Sequence, residues 1–174
     1  MVGRNNEYIN TNMKLNISDT LNAQINSELW SSYLFLSMSV NASSKGLKGV
    51  AHWFYVQSQK ENSDAKKLMD YLNSIGSKVY LYPIEGVPAE WESPLEMFKH
   101  KLQHDIKISR LIYVASTIAE ENNDNDTLDF LTNFANEQKK EENISRNMIM
   151  AFDSVKDDEF AFTLLDKELG EREL

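Results

Sequence analysis

Residues 47–75 read LKGVAHWFYVQSQKENSDAKKLMDYLNSI. The run holds no proline and a single glycine near its start, so one long helix is open to it. Side chains that face a common axis in packed helices recur at alternating steps of three and four. One such row is Leu47, Phe54, Glu61, Leu68 and Ile75, and its companion is Val50, Gln57, Asp64 and Tyr71. Apolar residues hold both ends of the two rows and acids hold the middle. Gly76 follows as a natural stop, since glycine takes the left-handed conformation that ends many helices.

Working outward, three more long helices and a short one can be read. The first is predicted from Ile17–Ser18–Asp19, with Ser18 or Asp19 as cap, to Ser43–Gly46, and its apolar stripe is Leu21, Ile25, Leu29, Tyr33, Leu36 and Val40. The third begins at Ser93–Pro94, a capping residue followed by a proline suited to the first turn, and runs to about Glu121. Asn122–Thr127 breaks the chain and recaps a fourth helix that continues to about Val155. A last short helix covers Asp157 to Leu169. The stretch SKVYLYPIEGVPAEWES (77–93) is too long for a tight turn. It suits a bundle in which one connection crosses the full length, so that the second and third helices run parallel. Val79–Tyr82 is apolar enough to pack on the bundle or on a neighbouring subunit. The fold class is therefore all-α: a four-helix bundle with a long crossover and a short fifth helix. Residues 1–15 are read as a disordered leader with Met13 a possible start, 16–170 as the bundle domain, and 171–174 as a tail.

Composition narrows the function. With 174 residues and 41% hydrophobic residues, the chain can bury a core as a single domain. It has no cysteine, which excludes disulfides, thiolate metal sites and a cysteine nucleophile. The net charge of −9 disfavours nucleic acid and suits cations. No apolar run is long enough to span a membrane, and the start lacks the apolar segment of a secretory signal.

Every long helix interrupts its inward row with an acid. The first reads Leu21, Glu28, Phe35; the third reads Leu95, Phe98, Leu102, Asp105, Ser109, Ile112; the fourth reads Leu131, Phe134, Gln138, Glu141, Ser145, Met148, Phe152. Glu28, Glu61, Asp64, Asp105, Glu141 and the amide of Gln138 would meet at mid-height. Taken singly, Glu28 or Asp105 reads as a solvated flank residue, but emptying the seam needs four register slips in concert. Crowded buried carboxylates are costly and raise one another's pKa. Two hard metal ions sharing bridging carboxylates would offset that cost.

The segments LNAQINSELWSSYLFLSMS (21–39), AHWFYVQSQKENSDAKKLMDYL (51–72), VPAEWESPLEMFKH (87–100), FANEQKKEE (134–142) and LLDKELG (164–170) together resemble the bacterial non-haem ferritins, over roughly Ile17 to Gly170. The resemblance implies a hollow, cytoplasmic shell of 24 subunits. Each subunit would oxidise Fe(II) with dioxygen or peroxide at a two-iron carboxylate site, and the shell would store the ferric product. By position, Glu28, Glu61 (bridging), Asp105 and Glu141 match ligands, and Gln138 matches an amide near one iron.

Three departures stand out against that pattern. The second helix of the family usually reads Glu-x-x-His, and here it reads Glu61-Asn-Ser-Asp64. Phe35 stands where a tyrosine usually sits. Lys60 and Lys140 stand where an outer third iron site usually has glutamates, leaving Glu137 and Glu141, so that third site is expected to be absent or weakened. The lysines read as surface residues; the alternative pairs them with Glu137 and Glu141 in place of a metal. Two functions stay open: a ferroxidase using Glu28, Glu61, Asp64, Asp105 and Glu141, or a storage shell subunit with an impaired centre. A DNA-protecting mini-ferritin is a remoter reading, against which the low basicity and fifth helix count. A di-iron oxygenase would carry a second Glu-x-x-His. His52, His100 and His104 are read as surface residues, with His100 and His104 spaced to chelate together. Trp30, Trp53 and Trp91 are read as packing, and the methionines as core filling.

Overall fold

A computed structural model describes residues 16–173. The expected leader over 1–15 and the candidate start Met13 lie outside the described residues. Five helices follow in order: α1 (Ile17–Ser44), α2 (Lys48–Ser74), α3 (Pro94–Glu121), α4 (Asn125–Val155) and α5 (Glu159–Leu169). The described residues are helical and irregular, with no strand among them.

The helix ends follow local chemistry. Asn16, not Ser18 or Asp19, caps α1: its Oδ1 accepts from the Ser18 amide at 2.9 Å. The helix begins at Ile17, ahead of both expected caps, which leaves the Ser18 hydroxyl free to pair with that of Ser77 at 2.7 Å. Ser93 caps α3 as expected, accepting from the Glu96 amide, with Pro94 in the first turn. Asp124 caps α4 and Asp158 caps α5. Gly46 and Gly76 take positive φ after α1 and α2.

Hydrogen bonds fix the topology. Ser32 donates to the Ser58 carbonyl and Ser39 to that of Ala51, so numbers rising along α1 meet numbers falling along α2. The same reversal joins α3 to α4, where Lys101 reaches Ser145 and Gln138 reaches the Asp105 carbonyl. Ser31 meets His104, while Asn41 meets Trp91 just before α3, so α1 and α3 are antiparallel too. Hence α2 and α3 run parallel, as the long crossover requires. Two asparagines of α1 fasten that crossover. Asn22 bonds both the Lys78 carbonyl and the Tyr80 amide, and Asn26 bonds both the Tyr80 carbonyl and the Tyr82 amide. Each side-chain amide satisfies the extended backbone as a neighbouring strand would.

The core is in two parts. One gathers Leu34, Phe35, Met38, Trp53, Phe54, Phe98 and Phe152. The other gathers Leu21, Ile25, Leu68, Leu72, Ile108, Ile112 and Leu131. Polar side chains separate them at mid-height. The expected stripe of α1 is corrected here: Tyr33, Leu36 and Val40 are exposed, and Leu34, Phe35, Met38 and Ala42 point inward. Each step of four overshoots a full turn by about 40°, so a row built from such steps drifts off the inward face.

Candidate metal centre at mid-bundle

The structure brings Glu28, Glu61, Asp64, Asp105 and Glu141 into the belt between the two cores, all of them buried. Gln138 lies at its edge and donates to the Asp105 backbone carbonyl at 3.2 Å rather than to a carboxylate. Glu137 is half-exposed and stands 3.7 Å from Lys67.

The belt also holds cations. Lys101 is completely buried. Its Nζ lies 2.9 Å from Asp105 Oδ2, 3.1 Å from Glu141 Oε2 and 3.1 Å from Ser145 Oγ. The Phe35 ring centroid is 5.6 Å away and that of Trp53 is 5.8 Å away, close enough for each π face to favour the charge. Lys60 pairs with Asp64 at 2.8 Å and reaches Glu141 Oε1 at 3.5 Å. Lys67 takes the other Asp64 oxygen at 2.7 Å. The reading of Lys60 as a surface lysine is therefore corrected: its alkyl stem lies along α2 and its head turns inward, drawn by Asp64 and Glu141. Lys140 is exposed and makes no ion pair among the described residues.

Lys101 is the residue that sequence reasoning missed. From Phe98, a step of three and then four leads through Lys101 to Asp105; a step of four and then three leads through Leu102. Hydrophobicity favours Leu102, but the helix turns Lys101 and Ile108 inward and leaves Leu102 and Ser109 half-buried. The available signal was the pair itself, since Lys101 and Asp105 are four apart on one helix face.

Gln57 joins α2 to α4 within the belt, its Nε2 donating to Glu61 Oε1 at 2.5 Å and Glu141 Oε2 at 3.0 Å. The Arg172 guanidinium, beyond α5, donates to Gln57 Oε1 at 2.6 Å and stacks on Trp53, 4.0 Å from its centroid. These contacts settle which way the Gln57 amide faces.

The charges titrate accordingly. Burial, followed by the neighbouring Glu61 charge, pushes the Glu28 carboxyl well above its ordinary value. The hydrogen bond between Glu28 and Glu61 adds to the same upward shift of Glu28. Burial also raises Glu61, with Lys60 opposing. Burial raises Asp105 despite Lys101. Burial pulls Glu141 up as well, but Lys101 and Lys60 outweigh it and hold that carboxyl below its ordinary value. Lys60, Lys67 and Lys101 face the carboxylates of Asp64, Asp105 and Glu141, and Arg172 reaches the belt through Gln57. Among the described residues, no group of three or more His, Asp or Glu side chains is arranged to hold a metal ion. The donor set does not fit a pair of ferrous ions, because Asp64, Asp105 and Glu141 already accept from ammonium groups and only Glu28 and Glu61 lack a lysine partner among the described residues.

His52 is exposed as expected, while His100 and His104 differ from expectation. His104 is buried, with Nε2 2.5 Å from Ser31 Oγ and its ring 5.1 Å from that of Trp30. Burial, then Lys101, lowers its pKa to about 3, so it is neutral. His100 accepts from Trp91 Nε1 at 3.0 Å. Each has its own partner, and they form no chelating pair.

Against this geometry stand the chain's relatives. A family model described as the ferritin-like domain matches residues 18–154. The chain is 35% identical over 156 residues to the bacterial non-heme ferritin of Bacteroides fragilis (strain 638R), covering 90% of this chain and 97% of that one. It is 29% identical over 157 residues to the bacterial non-heme ferritin of Staphylococcus aureus (strain USA300), covering 90% and 95%. Among solved structures, the open pore ferritin of the archaeon Archaeoglobus fulgidus superposes with a TM-score of 0.88 at 36% identity, over 90% of this chain and 97% of that one. The family match runs from the first turn of α1 to the last turn of α4, and the chain belongs to the ferritin family.

Proposed function

We propose that this chain is a subunit of a cytoplasmic shell, of 24 copies by family resemblance, that stores iron as cargo, and that its mid-bundle belt does not oxidise iron at a paired centre. The observation that carries the reading is the Lys101 ammonium seated between Asp105 and Glu141. A charged group with its hydrogen bonds satisfied in a dry interior is hard to displace, because moving it leaves a buried charge without a partner. The relatives named as ferritins support the storage role, and the −9 net charge suits a surface that gathers cations.

A ferroxidase is the second reading, and one observation favours it. Among the described residues, Glu28 and Glu61 form no direct ion pair with a lysine, and the Oε1 of Gln24 beside them is buried without a partner. One side of the belt thus keeps oxygens that no ammonium holds.

Aerobic oxidation of Fe(II) at about two ions per subunit separates the two. The native protein and Glu61→Ala should oxidise iron equally slowly, and the native shell should still accumulate many more ferric ions than it has subunits when Fe(II) is added in small portions. Fast oxidation that Glu61→Ala abolishes would establish the ferroxidase instead. A shell that holds no iron after loading would remove the storage role.

A further inference from the structure

We infer that the Lys101 ammonium is the resident cation of the α3–α4 side of the belt, standing where a divalent ion would otherwise balance Asp105 and Glu141. The inference deepens the storage reading and relies on it only in treating this side of the belt as closed to iron.

Lys101 is the one lysine among the described residues whose side chain has no exposure. Its three N–H groups meet three oxygens at 2.9–3.1 Å, a complete set for an ammonium. The acceptors are organised around it. Ser145, one helical turn from Glu141, donates to Asp105 Oδ2 at 2.6 Å while accepting from Lys101. Glu141 is committed at both oxygens, Oε1 facing Lys60 and Oε2 facing Lys101 and Gln57. Phe35 and Trp53 wall off another side. An ion approaching Asp105 and Glu141 would have to turn the ammonium out of its oxygens and toward those rings. Lys101, with Lys60 on the other Glu141 oxygen, therefore supplies the charge balance, and the bundle reaches full stability without metal.

Replacing Lys101 should expose the oxygens to an ion. Co(II), whose visible absorption strengthens when it leaves water for a low-symmetry protein site, is the probe, added to the assembled shell. The native protein should show no absorption that Glu141→Gln removes, and its melting temperature should not move with Co(II). Lys101→Ala should melt roughly ten degrees lower without metal. Co(II) should restore much of that loss and produce an absorption band that the added Glu141→Gln change abolishes. A native band that depends on Glu141, or a Lys101→Ala protein that folds but ignores Co(II), overturns the inference. If Lys101→Ala fails to fold, Lys101→Met combined with Asp105→Leu should fold and recover most of the native melting temperature, since ammonium and nearest carboxylate leave together. A double variant that also fails to fold overturns it. None of these readouts uses iron oxidation or mineral loading, so this inference and the storage reading can fail separately.

Discussion

Glu28 and Glu61 face each other without an intervening cation, and that sets how the core responds to pH. The Glu28 carboxyl is held above its ordinary 4.5 by burial and by the Glu61 charge. The folded state thus keeps a proton that the unfolded chain releases once pH passes 4.5. The stabilisation is complete below that value and is lost as pH rises through the raised one. Glu28→Gln keeps the shape and can still donate to Glu61, but it cannot ionise. Urea unfolding should find the variant matched to the native protein near about pH 4 and more stable by about 1 kcal/mol or more near about pH 8. A variant that instead becomes less stable than the native protein as pH rises would show that Glu28 ionises more readily in the fold than in the unfolded chain. The acids of the belt were legible one by one, since each interrupts an apolar row. The lysine among them was not, because steps of three and four from Phe98 to Asp105 pass through either Lys101 or Leu102, and apolar preference points to the wrong one.

At the scale of elements, α5 belongs to the bundle through α2. Leu47 offers no side chain to cap α2; Asp166 of α5 does so instead, accepting from the Gly49 and Val50 amides at 3.2 and 2.9 Å. The approach is close enough that a Cβ on Gly49 would come within 1.4 Å of the Asp166 carbonyl oxygen, so only glycine fits there. Beyond α5, Arg172 reaches Gln57 and links the chain end to Glu61 and Glu141. Asp166→Ala should cost about 1 kcal/mol, the usual worth of a helix cap, and hydrogen exchange should quicken at both the first turn of α2 and in α5. Gly49→Ala should be worse, displacing α5 and weakening protection from Glu159 to Arg172. Unchanged exchange in α5 for both variants would mean that α5 holds by its apolar face alone. The helices and the Ser93 cap of α3 could be read from sequence because capping chemistry is local. The cap of α2 could not, since its acceptor, Asp166, lies more than a hundred residues away.

For the whole molecule, the outer face of α1 and the crossover carries exposed Tyr33, Leu36, Val40, Leu81, Tyr82 and Ile84. Val79 turns into the core, so the crossover packs inward at that residue and outward at the next three. In the proposed shell, so broad an apolar face would be a contact surface for another subunit. Leu36→Asp should leave the melting temperature of the separated subunit within a few degrees, while sedimentation shows a species much smaller than the shell. A variant that still assembles fully would move the principal contact elsewhere, to α5, where Phe160 and Leu164 are also exposed.

The sequence by itself determined the helices, the crossover and the band of acids at mid-height, because periodicity, caps and helix breaks act over a few residues and repeat along each segment. The tertiary structure decided what neutralises those acids. Whether a carboxylate meets a metal or an ammonium depends on which face of α3 turns inward and on how closely α3 and α4 approach. These are distances between residues 40 apart in the chain, such as Lys101 and Glu141. No local pattern encodes them, and they move the reading from an oxidising centre to a storage subunit whose core carries its own cation.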